Sequence, residues 1–278
     1  MHTHAGRLHH MTTTALPDTP QHYDAVIIGA GSIAAEDELC LRALVKANPH
    51  MLIIAADGGA DTVAAWGLNP NYIIGDFDSV SKKPHDHRNT IALPVHKDET
   101  DMHEALTLAW QHGARRIALF GALGGRIDHT LANIQLLSYV AAAGGNGTLL
   151  HNGQAITVIT QGSLRFPTWL GTAGHMVSVL AHSDTATNVT IDSLLYEAQL
   201  DLINTHAQGV SNEFVHGKAA HISVEQGLIT VTWHIGKPVE KSPAELAALL
   251  TPQWSTSRPY QVEAFGTLNT QTSSYYSA

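Results

Sequence analysis

The chain has 278 residues, of which 44% are hydrophobic and 14% are charged, so it can bury one large core or two smaller ones. Its formal net charge of -9 argues against a general binder of nucleic acid or of an anionic membrane surface, so a bound phosphate must be met by a local site or a metal ion. The single cysteine, Cys40, excludes an internal disulfide, and no apolar stretch reaches transmembrane length, so the cytoplasm is the expected location.

Residues 1–21 are predicted to be a flexible leader. Its opening, MHTHAGRLHHMTTT, lacks the apolar core of a secretion signal. The histidines in this stretch could bind a metal ion, but without an ordered scaffold a mobile leader is the expectation.

Residues 22–150 alternate short, β-rich apolar runs with helical patterns, which is typical of a mostly parallel sheet covered by helices. Helices are predicted at 36–47, 60–66, 101–112 and 129–143, and strands in DAVIIGAG, MLIIAAD, YIIGD, RRIALFG and GTLLHN. Gly67 and Gly113 stand where two helices should end, and Asp101 with Glu104 predicts a capping box. The pattern predicts an α/β N-terminal domain with a Rossmann-like sheet.

Residues 151–238 change to short alternating segments separated by turn residues, such as AITVITQGSLRF and HISVEQGLITVTW. This predicts an all-β C-terminal domain, a sandwich of antiparallel strands, with the boundary near residues 151–154. Residues 239–278 form a C-terminal extension that is expected to be partly loose, with a short helix at 243–250.

Polar and glycine-rich motifs follow the predicted strands, at the edge where ligands of open parallel sheets bind. In chain order they are ADGGAD with Asp57, Gly58 and Gly59; GDFDS with Asp76 and Asp78; KDETD with Lys97, Asp98 and Asp101; and GGRIDH with Gly124, Gly125, Arg126 and Asp128. Each residue alone has an ordinary explanation as a turn residue or helix cap. Together they describe one crevice.

Several carboxylates on one rim repel one another unless a cation lies between them. Glycine-rich helix starts beside Arg126 and Lys97 suit phosphate oxygens. Magnesium prefers hard oxygen ligands, and the body of the chain has no Cys/His cluster at zinc spacing. The residues therefore predict that Asp76 and Asp78 hold Mg²⁺, with Gly75 permitting a turn in which these two carboxylates converge.

The motifs ADGGAD, IIGDFDS, KDETD and GGRIDHTLAN, in this order and at these separations, resemble those of the thiamine pyrophosphokinase family. Its members transfer the pyrophosphoryl group of ATP to the hydroxyl of thiamine. The segments SLLYEAQLDL, GVSNEF and ISVEQGLITV are similar to that family's thiamine-binding β domain. The resemblance spans about residues 25–234 and implies Mg²⁺ as cofactor and ATP as co-substrate.

The resemblance also implies roles for individual residues. The implied magnesium ligands are Asp76, Asp78 and Asp101, which with Arg126 form the expected catalytic set. The residues expected around the nucleotide are Asp57, Gly58, Lys97, Asp98, Gly125, Arg126 and Asp128. On the thiamine side, Tyr196 is expected to stack on the ligand and Ser211 and Asn212 to contact it. The family's active sites form between two subunits, which implies a homodimer, and Ser193 departs from the family pattern because glycine is usual before Leu194.

The main alternative is an NAD-dependent oxidoreductase, because VIIGAGSIAAED places Gly29, Gly31 and Ala34 in a dinucleotide fingerprint. That alternative gives no reason for the acidic residues of the crevice or for GGRIDH. A ligand-binding sensor with a degenerate site is a non-enzymatic alternative, but its acidic set would be expected to be broken, and here it is intact. The proton acceptor in a pyrophosphoryl transfer, whether Asp101, Asp78 or solvent, stays open.

Overall fold

One hydrogen-bonded sheet of thirteen strands runs through the structure, a computed structural model that describes residues 21–78, 88–96, 98–169 and 175–256. The first six strands are β1 (Ala25–Ile28), β2 (Leu52–Ala56), β3 (Tyr72–Gly75), β4 (Thr90–Ala92), β5 (Arg116–Phe120) and β6 (Asn146–His151). The helices among them are α1 (Ala35–Ala47), α2 (Gly59–Ala65), α3 (Asp101–Gln111) and α4 (Ile127–Ala142).

These six strands form the parallel part of the sheet, in the order β6-β5-β1-β2-β3-β4, and every neighbouring pair is parallel. Alternate side chains of β1 enter two different apolar cores, Val26 and Ile28 on one face and Ala25 and Ile27 on the other. A strand buried on both faces must be apolar at every position, which is why the sequence shows a continuous apolar run. The prediction of a mostly parallel sheet covered by helices is confirmed.

The predicted helices of this part are present within a few residues of their expected bounds. Gly67 and Gly113 follow helix ends with φ of 63° and 86°, the left-handed conformation that ends a helix and favours glycine. The predicted capping box at Asp101 is wrong, because the N-cap of α3 is Thr100, whose hydroxyl accepts a hydrogen bond from the His103 backbone N–H. The short edge strand β4 was not predicted.

The second half of the chain is antiparallel. Its strands are β7 (Gln154–Thr168), β8 (Met176–Ala181), β9 (Thr185–Asp192), β10 (Ala198–Ile203), β11 (Asn212–Glu213), β12 (Ala219–His234) and β13 (Gln253–Thr256). The long strand β12 lies at its centre and pairs with β7, β8 and β9. Strands β6 and β7 form a hairpin across the predicted boundary, with Thr148 opposite Thr157, so the sheet continues from one half into the other. The boundary and the sandwich stay predictions.

After β12 the chain returns to the first half in a segment that we call the C-terminal strap, residues 238–256. It contains a 3₁₀ turn (Pro238–Glu240), α5 (Pro243–Leu250), as predicted at 243–250, and β13, which pairs with β7. The buried Tyr23 hydroxyl donates to the Leu250 carbonyl at 2.8 Å, and the Gln21 side chain exchanges two hydrogen bonds with the Trp254 backbone, both at 2.9 Å. The strap therefore fastens the end of the described chain to its beginning.

None of the helices in the described part of the chain combines the length and the apolar composition that a membrane crossing requires.

Candidate active site

A pocket of about 710 Å³ opens at the carboxyl ends of β1, β2, β3 and β5. This is the edge at which ligands of open parallel sheets bind. Its lining combines carboxylates, glycines and few cations: Gly29, Ala30, Gly31, Ala56, Asp57, Asp76, Asp78, Val95, Glu99, Thr100, Asp101, Met102, Gly121, Ala122, Gly124, Gly125, Arg126, His129 and Asn133.

Three carboxylates converge in this pocket. One oxygen each of Asp57, Asp76 and Asp78 lies within 4.8 Å of the other two, close enough for all three to bind one cation. The turn that brings Asp76 and Asp78 together is centred on Phe77, whose φ of 61° is left-handed, and the Asp78 backbone N–H donates to Asp76 Oδ1 at 3.1 Å. The convergence was predicted, but its cause is Phe77 rather than Gly75.

Gly75 serves a different purpose, which is to make room for Asp57. A Cβ atom on Gly75 would lie 3.0 Å from the Asp57 Cα, a separation that real Cβ atoms rarely show. Asp57 is only 8% exposed and has a left-handed φ of 47°, so its carboxylate is held at the strand end by the backbone. Strained non-glycine conformations of this kind cluster at functional sites.

Asp101 lies at the start of α3 and lines the same pocket, but the acidic cluster contains Asp57 in its place. The sequence assigned Asp57 to the nucleotide, and the structure puts its carboxylate with the expected metal ligands. Asp57 and Asp76 follow the adjacent parallel strands β2 and β3, whereas Asp101 begins a helix.

The loop between β5 and α4 forms the other wall of the pocket. Gly124 and Gly125 have φ of 78° and 70°, so two consecutive residues are left-handed. Arg126 follows them and lines the pocket, whereas Asp128 does not. The two side chains form a bidentate, exposed ion pair, with Arg126 Nη2 2.5 Å from Asp128 Oδ2. This contact lowers the pKa of Asp128 and raises that of Arg126.

Three other predicted nucleotide residues have different outcomes. Lys97 lies outside the described residues. Asp98 is exposed and Gly58 is the N-cap of α2, and neither contributes to the pocket lining. The pocket is also lined by residues that were not expected there, including Glu99, His129 and Asn133.

The predicted thiamine residues lie elsewhere, in the antiparallel half, and none of them lines the pocket. Tyr196 is 65% exposed, while Asn212 is 6% exposed. The Asn212 side chain makes two hydrogen bonds to the backbone of Tyr196: its Oδ1 accepts from Tyr196 N at 2.9 Å and its Nδ2 donates to Tyr196 O at 2.7 Å. Ser193 has a φ of 60°, which is the conformation that glycine would adopt without strain.

The glycine-rich loop after β1 does not present the amides of a dinucleotide site. The Gly29 N–H donates instead to the carbonyl of Phe120, the last residue of β5, at 2.8 Å. The N–H groups of Gly31 and Ser32 donate to carbonyls of the loop after β5, at 2.7 and 2.8 Å. At the start of α1, where a pyrophosphate would lie, the buried carboxylate of Asp37 accepts from the Ala34 N–H at 2.7 Å. The oxidoreductase alternative therefore has no support in the geometry.

The fold and the pocket define a class of α/β protein in which an acidic, glycine-lined pocket at the carboxyl edge of a parallel sheet is joined to an antiparallel β part. A family model described as "Thiamin pyrophosphokinase, catalytic domain" matches residues 45–146, which include the acidic cluster and the glycine loop. Residues 45–146 of this chain are therefore similar to the catalytic domain of the thiamin pyrophosphokinase family.

Individual proteins are also similar to parts of this chain. The chain is 39% identical over 95 residues to a thiamine pyrophosphokinase of Bacillus subtilis (strain 168), an alignment covering 32% of this chain and 44% of that protein, so it spans less than half of the relative's length. Among solved structures, thiamine pyrophosphokinase from Bacillus subtilis matches with a TM-score of 0.65 and 22% identity, covering 76% of this chain and 99% of the other. The yeast enzyme also matches with a TM-score of 0.65, at 16% identity, covering 80% and 90%. These structures share the fold.

Proposed function

We propose that this protein is a thiamine diphosphokinase, which transfers the pyrophosphoryl group of ATP to the hydroxyl of thiamine and releases AMP. The observation that carries the proposal is the cluster of Asp57, Asp76 and Asp78 in a glycine-lined pocket, within the segment matched by the family's catalytic domain. Three neighbouring carboxylates can bind Mg²⁺. The glycines of the pocket wall carry no side chains and leave room for the phosphates of a nucleotide. An oxidoreductase would have no use for this cluster.

In this mechanism Asp57, Asp76 and Asp78 would hold Mg²⁺, with Asp101 on the rim of the same pocket. An ion held there would supply neutralisation of phosphate charge and withdrawal of electron density from the β-phosphorus. The thiamine hydroxyl attacks that phosphorus in line, and AMP leaves. Because this transfer needs no covalent bond between enzyme and substrate, positioning of the reactants and electrostatic stabilisation of the transition state supply most of the rate acceleration. The proton of the hydroxyl passes to Asp101, to Asp78 or to solvent.

Arg126 binds the phosphates in this proposal. Its ion pair with Asp128 is exposed on both sides, with side-chain exposures of 73% and 64%, so exchanging the carboxylate for a phosphate oxygen costs little. The guanidinium can then make two parallel hydrogen bonds to the triphosphate. Until the nucleotide arrives, Asp128 keeps the arginine beside the pocket.

In our proposal the residues that bind thiamine in each active site belong to a second subunit, so the active protein is a homodimer. The support is the separation of Tyr196, Ser211 and Asn212 from the pocket of their own chain. Each half also carries exposed apolar side chains near its part of the site, which a partner would cover. They are Ile127 and Leu131 on α4, and Met176, Leu195, Tyr196 and Val210 in the antiparallel half.

We also propose a function for each half of the chain. We regard residues 22–150 as a Rossmann-like domain that binds ATP and Mg²⁺, and residues 151–238 as a sandwich that binds thiamine. We propose that the reaction takes place in the cytoplasm, where ATP and Mg²⁺ are both available.

The activity is tested by incubating the full chain with ATP, Mg²⁺ and thiamine and identifying AMP and thiamine diphosphate by mass spectrometry. Equal amounts of both products are expected, and neither should form when Mg²⁺ is chelated. The Asp76→Asn variant should be close to inactive, while Asp192→Asn, which changes an exposed carboxylate at the end of β9, should keep its activity. Purified protein that forms no thiamine diphosphate under these conditions would overturn the proposal.

The shared site is tested by mixing two inactive proteins under conditions in which subunits exchange. One carries Asp78→Asn and the other carries Ser211→Ala with Asn212→Ala. If sites are shared, a mixed dimer has both lesions in one site and none in the other, so activity returns. If each site belongs to one chain, every site keeps a lesion, and a mixture no more active than its components, with exchange verified by native mass spectrometry, rules out the shared arrangement.

A further inference from the structure

Asn133 is a buried polar side chain beside the catalytic pocket that the mechanism above does not use. It lies on α4, is 6% exposed and lines the pocket. Its Nδ2 donates to the carbonyl of Ala122 at 2.7 Å, across a span of 11 residues. The bond joins the second turn of α4 to the glycine-rich loop that precedes it.

That loop has an unusually free backbone. Gly121 has a φ of 59°, and Gly124 and Gly125 are also left-handed, so half of the residues at 121–126 are glycines in a conformation open to few other residues. Glycine loses more conformational freedom than any other residue when it is fixed. The loop therefore needs external contacts to hold one shape.

Three consecutive carbonyls of the loop receive such contacts. The Gly121 carbonyl accepts from Gly31 N–H at 2.7 Å, and the Leu123 carbonyl accepts from Ser32 N–H at 2.8 Å. The carbonyl between them, on Ala122, accepts from Asn133. The hydrogen bonds to the Gly121 and Leu123 carbonyls come from backbone N–H groups of the loop after β1. The hydrogen bond to the Ala122 carbonyl between them comes from a side chain, that of Asn133.

We propose that Asn133 is a positioning residue for the nucleotide, which holds the Ala122 carbonyl so that the loop keeps the shape that receives the triphosphate. A carbonyl oxygen released from this bond would be free to turn toward the phosphates, which it would repel. The inference rests on the proposed function, because it assumes that the pocket binds Mg²⁺ and ATP. It assigns Asn133 to binding of the nucleotide and not to thiamine or to the metal ion.

The test compares Asn133→Ala with Asn146→Ala. Asn146 is a matched control, because it is also 6% exposed and its Nδ2 donates to a buried partner, Thr157 Oγ1 at 3.0 Å, away from the pocket. The dissociation constant for ATP with Mg²⁺ is measured by calorimetry, and the KM for each substrate is measured by the product assay. If Asn133→Ala fails to fold, Asn133→Ser, whose hydroxyl is too short to reach the same carbonyl, takes its place.

Losing one buried hydrogen bond should weaken binding of ATP with Mg²⁺ about five- to tenfold in Asn133→Ala. Its KM for thiamine should stay unchanged, and Asn146→Ala should lose stability while binding ATP normally. Equal ATP affinity in the two variants would overturn the positioning role although the proposed function stands. Failure of the unaltered protein to bind ATP with Mg²⁺ would overturn the proposed function itself and this inference with it.

Discussion

The acidic cluster gives the sharpest prediction, the effect of Asp78→Asn on the response of the protein to Mg²⁺. The three oxygens lie within 4.8 Å of one another. At that separation, two unit charges in a water-like dielectric repel by about 1 kcal/mol. Replacing Asp78 removes two of the three repulsive pairs, so the variant should be more stable than the unaltered protein by about 1–2 kcal/mol when Mg²⁺ is absent. The same change removes a charged ligand and weakens ion binding.

The expected Mg²⁺ response follows from linkage. An ion present at 100 times its dissociation constant stabilises the folded state by about 2.7 kcal/mol, which for a protein of this size raises Tm by roughly 5–10 °C. If the variant binds a hundredfold more weakly, the same Mg²⁺ concentration stabilises it by only about 0.4 kcal/mol. The two Tm curves should therefore cross as Mg²⁺ is added.

The assay is a Mg²⁺ titration of Tm for the unaltered protein, Asp78→Asn and the control Asp192→Asn. The control should follow the unaltered protein, because Asp192 is exposed and does not line the pocket. An Asp78→Asn variant that gains as much in Tm from Mg²⁺ as the unaltered protein would refute the assignment of the cluster to the metal.

Three further predictions concern stability. Ser193→Gly should exceed Ser193→Ala in free energy of unfolding by about 1 kcal/mol in urea, because φ at this position is 60°, and equal values would show that the conformation is not strained. Burial lowers the pKa of His182, so the unfolded chain binds a proton at this position at higher pH than the folded chain, and Tm should fall as pH drops below about 6.5. His182→Gln should flatten the slope of Tm against pH, whereas the control His206→Gln, at an exposed position, should leave the slope unchanged. Identical slopes for the two variants would contradict this role of His182. Tyr23→Phe should cost about 1–3 kcal/mol, because it leaves the buried Leu250 carbonyl without its donor, and an unchanged urea midpoint would argue against that bond.

Much of the parallel half could be predicted from the sequence, because its signals are local. Continuous apolar runs mark strands buried on both faces, and glycines such as Gly67 mark helix ends by their own conformational preference. The edge strand β4 was missed because its three residues, two half-buried and one exposed to solvent, leave no such run. The crevice was predicted because strand ends of a parallel sheet share one edge, a rule of topology that needs no coordinates.

The parts that were not predicted depend on contacts between distant segments. Nothing local places Asp57 with Asp76 and Asp78; that needs the register of β2 against β3, in which Ala56 pairs with Ile74. The left-handed φ of Phe77 is equally hidden, since phenylalanine has no preference for it. Asn133 stood inside the GGRIDHTLAN motif, but its bond to Ala122 appears only once α4 folds back beside the loop.

The C-terminal strap has a consequence for how the chain folds as it is synthesised. Helix α5 packs against α1, and Leu246 and Leu250 share an apolar core with Leu41 and Leu44. The nascent N-terminal half therefore leaves part of α1 uncovered until residue 250 has left the ribosome, although its six parallel strands are complete by His151. During that interval about a hundred residues are translated, which takes several seconds at ordinary rates. A chaperone that recognises apolar helical surface can bind α1 during that interval. A chain that ends before residue 243 would keep this surface exposed.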